Sequence, residues 1–358
     1  MTGRTGPVVV ERAAVTSPIF PLLDGLRGIA ALGVFCYHLD HLRPLPAPLH
    51  QLASHGNAGV PLFFLLSGFL LYRPLLVKRV LGKPISLRDF YLRRAARILP
   101  AYWVALTLLA IWPGLERFSD RWWQLYLLGQ DFDPNTTFAG IGPAWSLAIE
   151  ATFYVLLPVY ALLLGRRLGL VGELVLLGVL AVLAVGFHVW IGSTDVSLLG
   201  YTLPGTFYLF AVGMGVAVLD VRADALRVAR RWIRYPVVLW VAGALLYVVL
   251  SMKVPSAALG SVHPVYAIVA LLVFLPAVLG SRVADAVLGW RPMAGLGLVS
   301  YAFYLWHQVV IEQWARITSL PTWLLIVVSL ATVLTISVIS YRVVELPVLR
   351  AIRRPARA

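Results

Sequence analysis

An all-α, polytopic integral membrane bundle is the fold class this 358-residue sequence predicts, on three observations. Apolar residues make up 60% of the chain and charged residues only 13%, against roughly half and a quarter in soluble domains. A water-soluble fold of this length cannot hide that excess, so it must face lipid. The apolar residues also run together, over 98–113, 144–164, 168–191, 236–252, 264–280 and 322–341. Each run is close to the ~17–25 residues that cross a hydrocarbon core of about 30 Å. The charges, finally, sit in short basic clusters between those runs, where cytoplasmic loops are expected to be basic.

Ten spans are expected in order, at 25–43, 58–77, 98–114, 144–164, 169–190, 204–220, 236–252, 263–280, 293–314 and 322–343. The first two are the least regular. Pro44, Pro46 and Pro48 cluster just past one and Pro61 enters the other, which membrane helices tolerate where neighbours re-satisfy the backbone. Lysine and arginine bias sets the orientation. With the N-terminus inside, the inner segments hold Lys78, Arg79, Lys83, Arg88, Arg93, Arg94 and Arg97, then Arg166 and Arg167. They continue with Arg222, Arg227, Arg230, Arg231 and Arg234, then Arg282 and Arg291, and last Arg350, Arg353, Arg354 and Arg357. The outer segments hold Arg43, Arg117, Arg121, Lys253 and Arg316. Both termini are therefore expected in the cytoplasm, in agreement with an even number of spans.

Residues 1–20 carry acidic and polar interruptions and no apolar h-region, so they are expected as a cytoplasmic tail rather than a signal peptide. Residues 21–345 then form one ten-helix membrane domain and 346–358 a basic cytoplasmic tail. The inverted repeat of many transporters is not evident. A net charge of +14 would suit a nucleic-acid binder, but its placement between apolar runs excludes that partner and leaves membrane lipids. Cys36 is the only cysteine, which rules out an intramolecular disulfide and a thiolate cage. The seven histidines show no His-x-x-x-His spacing within a span, so no metal site is expected.

Ionisable residues inside a span are costly and by default functional. The first span reads LDGLRGIAALGVFCYHLD. Arg27 and His38 are separated by about three whole turns plus roughly 20°, so they share one stripe, roughly 16 Å apart along the axis. Asp24 lies one turn before Arg27, within ion-pair reach. Cys36 points away from His38, against a Cys–His nucleophile pair. A histidine deep among apolar residues stays neutral, because desolvation disfavours its charged form, and a neutral imidazole can act as a general base. The bland alternative has Arg27 snorkelling to headgroups and His38 bonding a neighbouring helix.

In the second span Ser67 and Gly68 interrupt the middle, and Gly56 and Gly59 mark its outer end. Small residues there signal close helix packing, though Ser67 can also bond a substrate. Arg93, Arg94 and Arg97 fall within about one helical turn in the loop SLRDFYLRRAARILP, as plain topology charges or as a phosphate clamp. The fourth span opens PAWSLAIEATFY. Its Glu150 cannot face lipid without penalty; it can bind an acceptor hydroxyl, orient a histidine or pair with an arginine. Trp145 and Tyr154 flank it as candidate substrate contacts. In the ninth span, SYAFYLWHQVVIEQW, Tyr304 and His307 are one turn apart and expected to line a polar cavity. Arg342 and Glu345 are expected as a structural pair.

Six stretches, in order, resemble the membrane-bound acyltransferase-3 family: LDGLRGIAALGVFCYH, GVPLFFLLSGFLL, FYLRRAARILPAYW, PAWSLAIEATFYVLLP, SYAFYLWHQ and SYRVVELP. They cover nearly the whole chain. The resemblance implies an enzyme with acyl-CoA as donor substrate, no permanently bound cofactor, and a sugar, glycoside or macrolide hydroxyl as acceptor. It implies His38 as the catalytic residue, Arg27 as its partner arginine, and Arg93, Arg94 and Arg97 as the donor-binding motif. Larger members carry a C-terminal esterase-like domain; here the acceptor-side chemistry is expected to rest on the ten helices. The reading that joins residues and resemblance has His38 as general base or acyl carrier, Glu150 as its catalytic companion, and Asp24, Ser67, Trp145, Tyr154, Tyr304 and His307 around the substrates. Arginine-rich composition suggests a bacterial inner membrane. The rival class is a transporter or flippase of a lipid-linked sugar, which would also need buried charges but no thioester chemistry.

Overall fold

The computed structural model describes residues 22–115, 121–133, 135–163, 168–192, 197–221, 235–255 and 259–353. The 1–20 tail, Arg117, Arg166, Arg167, Arg222, Arg227, Arg230, Arg231, Arg234, Arg354 and Arg357 lie outside the described residues. Ten long helices match the ten expected spans in order. They are α1 (Leu22–Leu42), α2 (Gly59–Val80), α3 (Leu87–Ile111), α4 (Trp145–Leu163) and α5 (Leu170–Gly192). The second five are α6 (Leu203–Val221), α7 (Val237–Lys253), α8 (Leu259–Leu279), α9 (Arg291–Ile317) and α10 (Thr322–Ser340). Eight are long and apolar enough to cross a membrane; α7 is shorter, and α8 forms with the next helix, Arg282–Leu288, a pair bent by 105°. No strand occurs among the described residues. The chain is a multi-pass, all-helical membrane protein.

Its apolar residues are sorted by contact with lipid or with other helices. The outward faces of α5 and α10 are apolar and bare, with Val171, Val175, Val182 and Leu183 on the first and Val327, Ile339 and Val343 on or just past the second. The most enclosed helix is α2, which packs against α1, α4, α6 and α8 and buries Leu65, Phe69 and Tyr72 completely. Its crossing with α6 is set by two glycines. A Cβ on Gly213 would lie 2.0 Å from the Leu65 carbonyl oxygen, and one on Gly68 2.3 Å from that of Phe210. Only bare backbone permits that approach, the usual device where helices associate in lipid.

Two elements depart from expectation, and both bear on the site. The arginines expected in a loop before residue 98 are helical, because α3 starts at Leu87. Ser86 Oγ accepts the Asp89 backbone N–H at 3.2 Å, an N-cap, so Arg93, Arg94 and Arg97 are fixed on the second and third turns. At the other end of the chain, α10 passes through a π-helical turn, Tyr341–Glu345, into Leu346–Arg353. Such a turn inserts an extra residue and rotates the helix beyond it. Glu345 is thereby buried, at 5% exposure, and Arg342 does not pair with it. The charge whose field reaches Glu345 is Arg97.

Buried ion pairs tie the basic ends of the helices together. Arg73 on α2 donates to Asp220 on α6 at 2.5 Å. Glu173 on α5, fully buried, accepts from Tyr72 and from Arg79. Removing one member of such a pair leaves an uncompensated charge and costs about 3–5 kcal/mol. On the opposite side, in the connector between α3 and α4, both carboxylate oxygens of Asp131 are buried without a hydrogen-bond partner.

The packing and the connector each generate an expected outcome. Gly68→Ala and Gly213→Ala should each destabilise by roughly 1–3 kcal/mol through overpacking. Gly178→Ala and Gly186→Ala on α5, where an added Cβ meets nothing within 4 Å, should be neutral or stabilising, since glycine within a helix costs about 1 kcal/mol relative to alanine. Thermal melts in detergent that rank the four alike would refute the glycine contact. Burial pushes the Asp131 carboxyl up to about 8. Its folded pKa then exceeds its unfolded one, so its contribution to stability is full below the unfolded value and disappears as pH rises through about 8. Asp131→Asn should flatten the fall in melting temperature between about pH 4 and about pH 8; an unchanged slope would contradict this.

Candidate active site

The side chains that lipid would penalise converge on one cavity between α1, α2, α3, α4 and α9, of about 790 Å³ including the space at its open mouth. Arg27, Arg94 and Arg97 line its basic end; Ser67, Glu150 and Tyr154 line its middle, and Ser146 and Tyr304 its far end. Each arrives by a local rule. On α4, Ser146, Glu150 and Tyr154 are successive turns of one stripe. On α9, the stripe Ser300, Tyr301 and Tyr304 faces the same space. The capped start of α3 delivers Arg94 and Arg97.

Three guanidinium groups surround a single carboxylate. Arg27 is bound to Asp24 at 2.8 Å, and Asp24 itself stays outside the cavity lining. Glu150 accepts a short hydrogen bond from Ser67 Oγ, so Ser67, left open between packing and ligand binding, holds the carboxylate. Arg94 carries a buried Nε without a hydrogen-bond partner, and neither Arg94 nor Arg97 forms an ion pair with a described residue. The cavity lining therefore carries more positive than negative side chains, a pattern that suits an anion.

His38 and His307 lie beyond the far wall. Tyr304 is that wall: it lines the cavity, it meets Phe63 edge-on at 5.9 Å, and its ring centre is 5.6 Å from that of His307. Its hydroxyl is anchored by Ser146 Oγ at 2.8 Å and by the Pro143 carbonyl at 3.0 Å. His307, fully buried, has Nδ1 2.8 Å from the Tyr304 carbonyl and Nε2 3.1 Å from His38 Nδ1. The hydrogen-bond partners assign the tautomers. A carbonyl only accepts, so the His307 proton is on Nδ1 and its Nε2 is bare. His38 Nδ1 faces that bare nitrogen and the Val34 carbonyl at 3.0 Å, so it carries the His38 proton. The remaining nitrogen, His38 Nε2, is left with a free lone pair. His38 is half-buried where His307 is sealed.

The structure thus joins nine of the twelve candidate residues, seven on the cavity and the two histidines behind Tyr304. The others lie apart. Arg93 lines a neighbouring cavity, Asp24 is a counter-ion to Arg27, and Trp145 packs edge-on against Phe64 and Tyr201 outside the lining. His307, expected as a cavity residue, instead orients His38. Ser146 was missed, and Glu345, expected as the partner of Arg342, is instead buried near Arg97. Ser146 sat legibly one turn before Glu150. Glu345 needed the π-helical turn, which no spacing reveals.

A multi-pass membrane protein with an arginine-lined cavity and an oriented imidazole beside it is the class these features define. Residues 20–342 match the model of the acyltransferase-3 family, an acyltransferase domain, and the chain belongs to that family. Among curated proteins it resembles the peptidoglycan O-acetyltransferase OatA of Listeria monocytogenes, 23% identical over 92% of this chain and 55% of the relative. It also resembles the O-acetyltransferase OatA of Staphylococcus aureus, at 26% over 92% and 57%, and YrhL of Bacillus subtilis, at 27% over 92% and 54%. The chain spans little more than half the length of these relatives. No solved structure matches it.

If His307 acts by accepting the His38 Nδ1 proton, then His307→Gln, whose amide oxygen can still accept, should keep more acyl-transfer activity than His307→Leu. The leucine variant should lose roughly 10²-fold in kcat with little change in donor KM. Equal loss in both variants would assign His307 to packing alone.

Proposed function

We propose that this protein is an acyl-CoA-dependent O-acyltransferase of the bacterial inner membrane, acting on a carbohydrate hydroxyl. The observation that carries the reading is the pairing of an arginine-lined cavity with an imidazole whose Nε2 is bare, one on each side of Tyr304. Acyl-CoA is an anion with a long neutral arm ending in a thioester. Arg27, Arg94 and Arg97 suit its pyrophosphate, since guanidinium binds phosphate bidentately. The main cavity leads from them towards Tyr304, and the span from Arg27 to His38, roughly 16 Å on a helix, is of the order of the pantetheine arm.

His38 Nε2 removes the acceptor hydroxyl proton as that oxygen attacks the thioester carbonyl, and coenzyme A thiolate leaves. His307 holds His38 in the tautomer that leaves Nε2 free, and accepts a share of the developing imidazolium charge through Nδ1–H of His38. Glu150, held by Ser67, balances the arginines at mid-cavity and is placed to hydrogen-bond the donor arm. An acyl-histidine intermediate is the alternative course; ping-pong kinetics would indicate it and ordered ternary-complex kinetics exclude it. Within the acceptor class of sugar, glycoside or macrolide, relatives named for peptidoglycan O-acetylation support a carbohydrate.

The test is binding and turnover of labelled acetyl-CoA by purified protein with a panel of peptidoglycan fragments and glycosides. Arg94→Ala should raise the donor KM about tenfold or more, and His38→Ala should lower kcat at least ~10²-fold. Absence of acyl-CoA binding would overturn the donor reading and leave the arginine-lined cavity to a different acyl donor.

A further inference from the structure

Beside the main cavity lies a second, of about 430 Å³, between the basic end of α2 and the first turns of α3. The two share Leu70, Leu71 and Arg94 as lining residues, so they are neighbours across one wall and Arg94 faces both. The second is lined further by Lys78, Arg93, Ser86 and Phe90. Neither Lys78 nor Arg93 forms an ion pair with a described residue. No carboxylate lines the space; the acid nearest in sequence, Asp89, is exposed. A third hollow, holding Arg79 and Lys83, differs in this respect, because Arg79 is already bound to Glu173.

A cavity with three cations, no acid and the capped N-terminus of a 25-residue helix at its edge is built for an anion. It is also separate from the arginine cluster of the main cavity, with Arg94 between them. Resting on the acyl-CoA reading above, we infer that this side cavity binds the 3′-phosphorylated adenosine end of the donor. Lys78 and Arg93 hold the 3′-phosphate and Phe90 offers its ring to the base. Arg94, facing both spaces, takes the pyrophosphate at their junction. The donor's two anionic centres are thereby recognised separately, and the protein discriminates coenzyme A thioesters from those lacking the 3′-phosphate.

The experiment compares acetyl-CoA with S-acetyl-dephospho-CoA on the unaltered protein, then on Lys78→Ala and Arg93→Ala. A phosphate held by two cationic donors predicts a KM on the order of tenfold or more higher for the dephospho donor. In Lys78→Ala that ratio should shrink towards one, through a rise in the KM for acetyl-CoA. Equal KM for both donors in the unaltered protein would overturn the assignment while leaving acyl-CoA as the donor. Failure to bind or use either thioester would overturn the donor reading itself, and this assignment with it. A ratio left unchanged in both Lys78→Ala and Arg93→Ala would place the 3′-phosphate outside this cavity and overturn the assignment as well.

Discussion

Arginine inside a membrane protein must be held by something, and the rest of this architecture depends on holding three of them around one space. Arg27 is secured by Asp24 on its own helix, whereas Arg94 and Arg97 face the cavity with only Glu150 within it. The cost of charge in a low-dielectric interior makes such an arrangement tolerable only if water or an anion completes it. The helices that bring the arginines together are fixed elsewhere, by pairs that are closed: Arg73 with Asp220, and Arg79 with Glu173. Completed pairs build the frame and incomplete ones build the site.

The same division holds for the histidines. His307 is sealed between the Tyr304 carbonyl and His38, and all its hydrogen-bonding capacity is used. His38 commits one nitrogen to that contact and keeps the other. A group whose partners are all satisfied is rigid, and a rigid neighbour is what sets the tautomer of a reactive imidazole. Tyr304, pinned by Ser146 and the Pro143 carbonyl, stands between the arginine-lined cavity and the two histidines.

Several of these relations were readable in the linear order. Asp24 with Arg27 is a one-turn spacing, and it forms. Glu150 and Tyr154 were identified by the cost of polarity in an apolar run, and both line the cavity. The same rule applied to Glu173 and Asp220 would have exposed the two closing pairs, and Ser86 with Asp89 carries the capping signature that makes the arginine segment helical. Arg342 with Glu345, by contrast, had suitable spacing and does not pair, because the backbone there is π-helical and one-turn arithmetic assumes an α-helix.

The sequence by itself determined what lies in the membrane, since hydropathy and charge placement are properties of residues and the bilayer reads them locally. It also determined which side chains share a stripe, because helical period needs no partner. Which stripes face one another was decided only by the tertiary structure. His38 and His307 are 269 positions apart, and no periodicity relates two helices; their meeting depends on α1 and α9 packing at one register. Gly28 and Gly297 permit that packing, for a Cβ on Gly28 would strike the Met293 carbonyl oxygen on α9 and one on Gly297 the Asp24 carbonyl on α1. The tautomer of His38 is a consequence of that register, while the wall at Tyr304 and the junction at Arg94 depend on how α4, and α2 with α3, pack beside it.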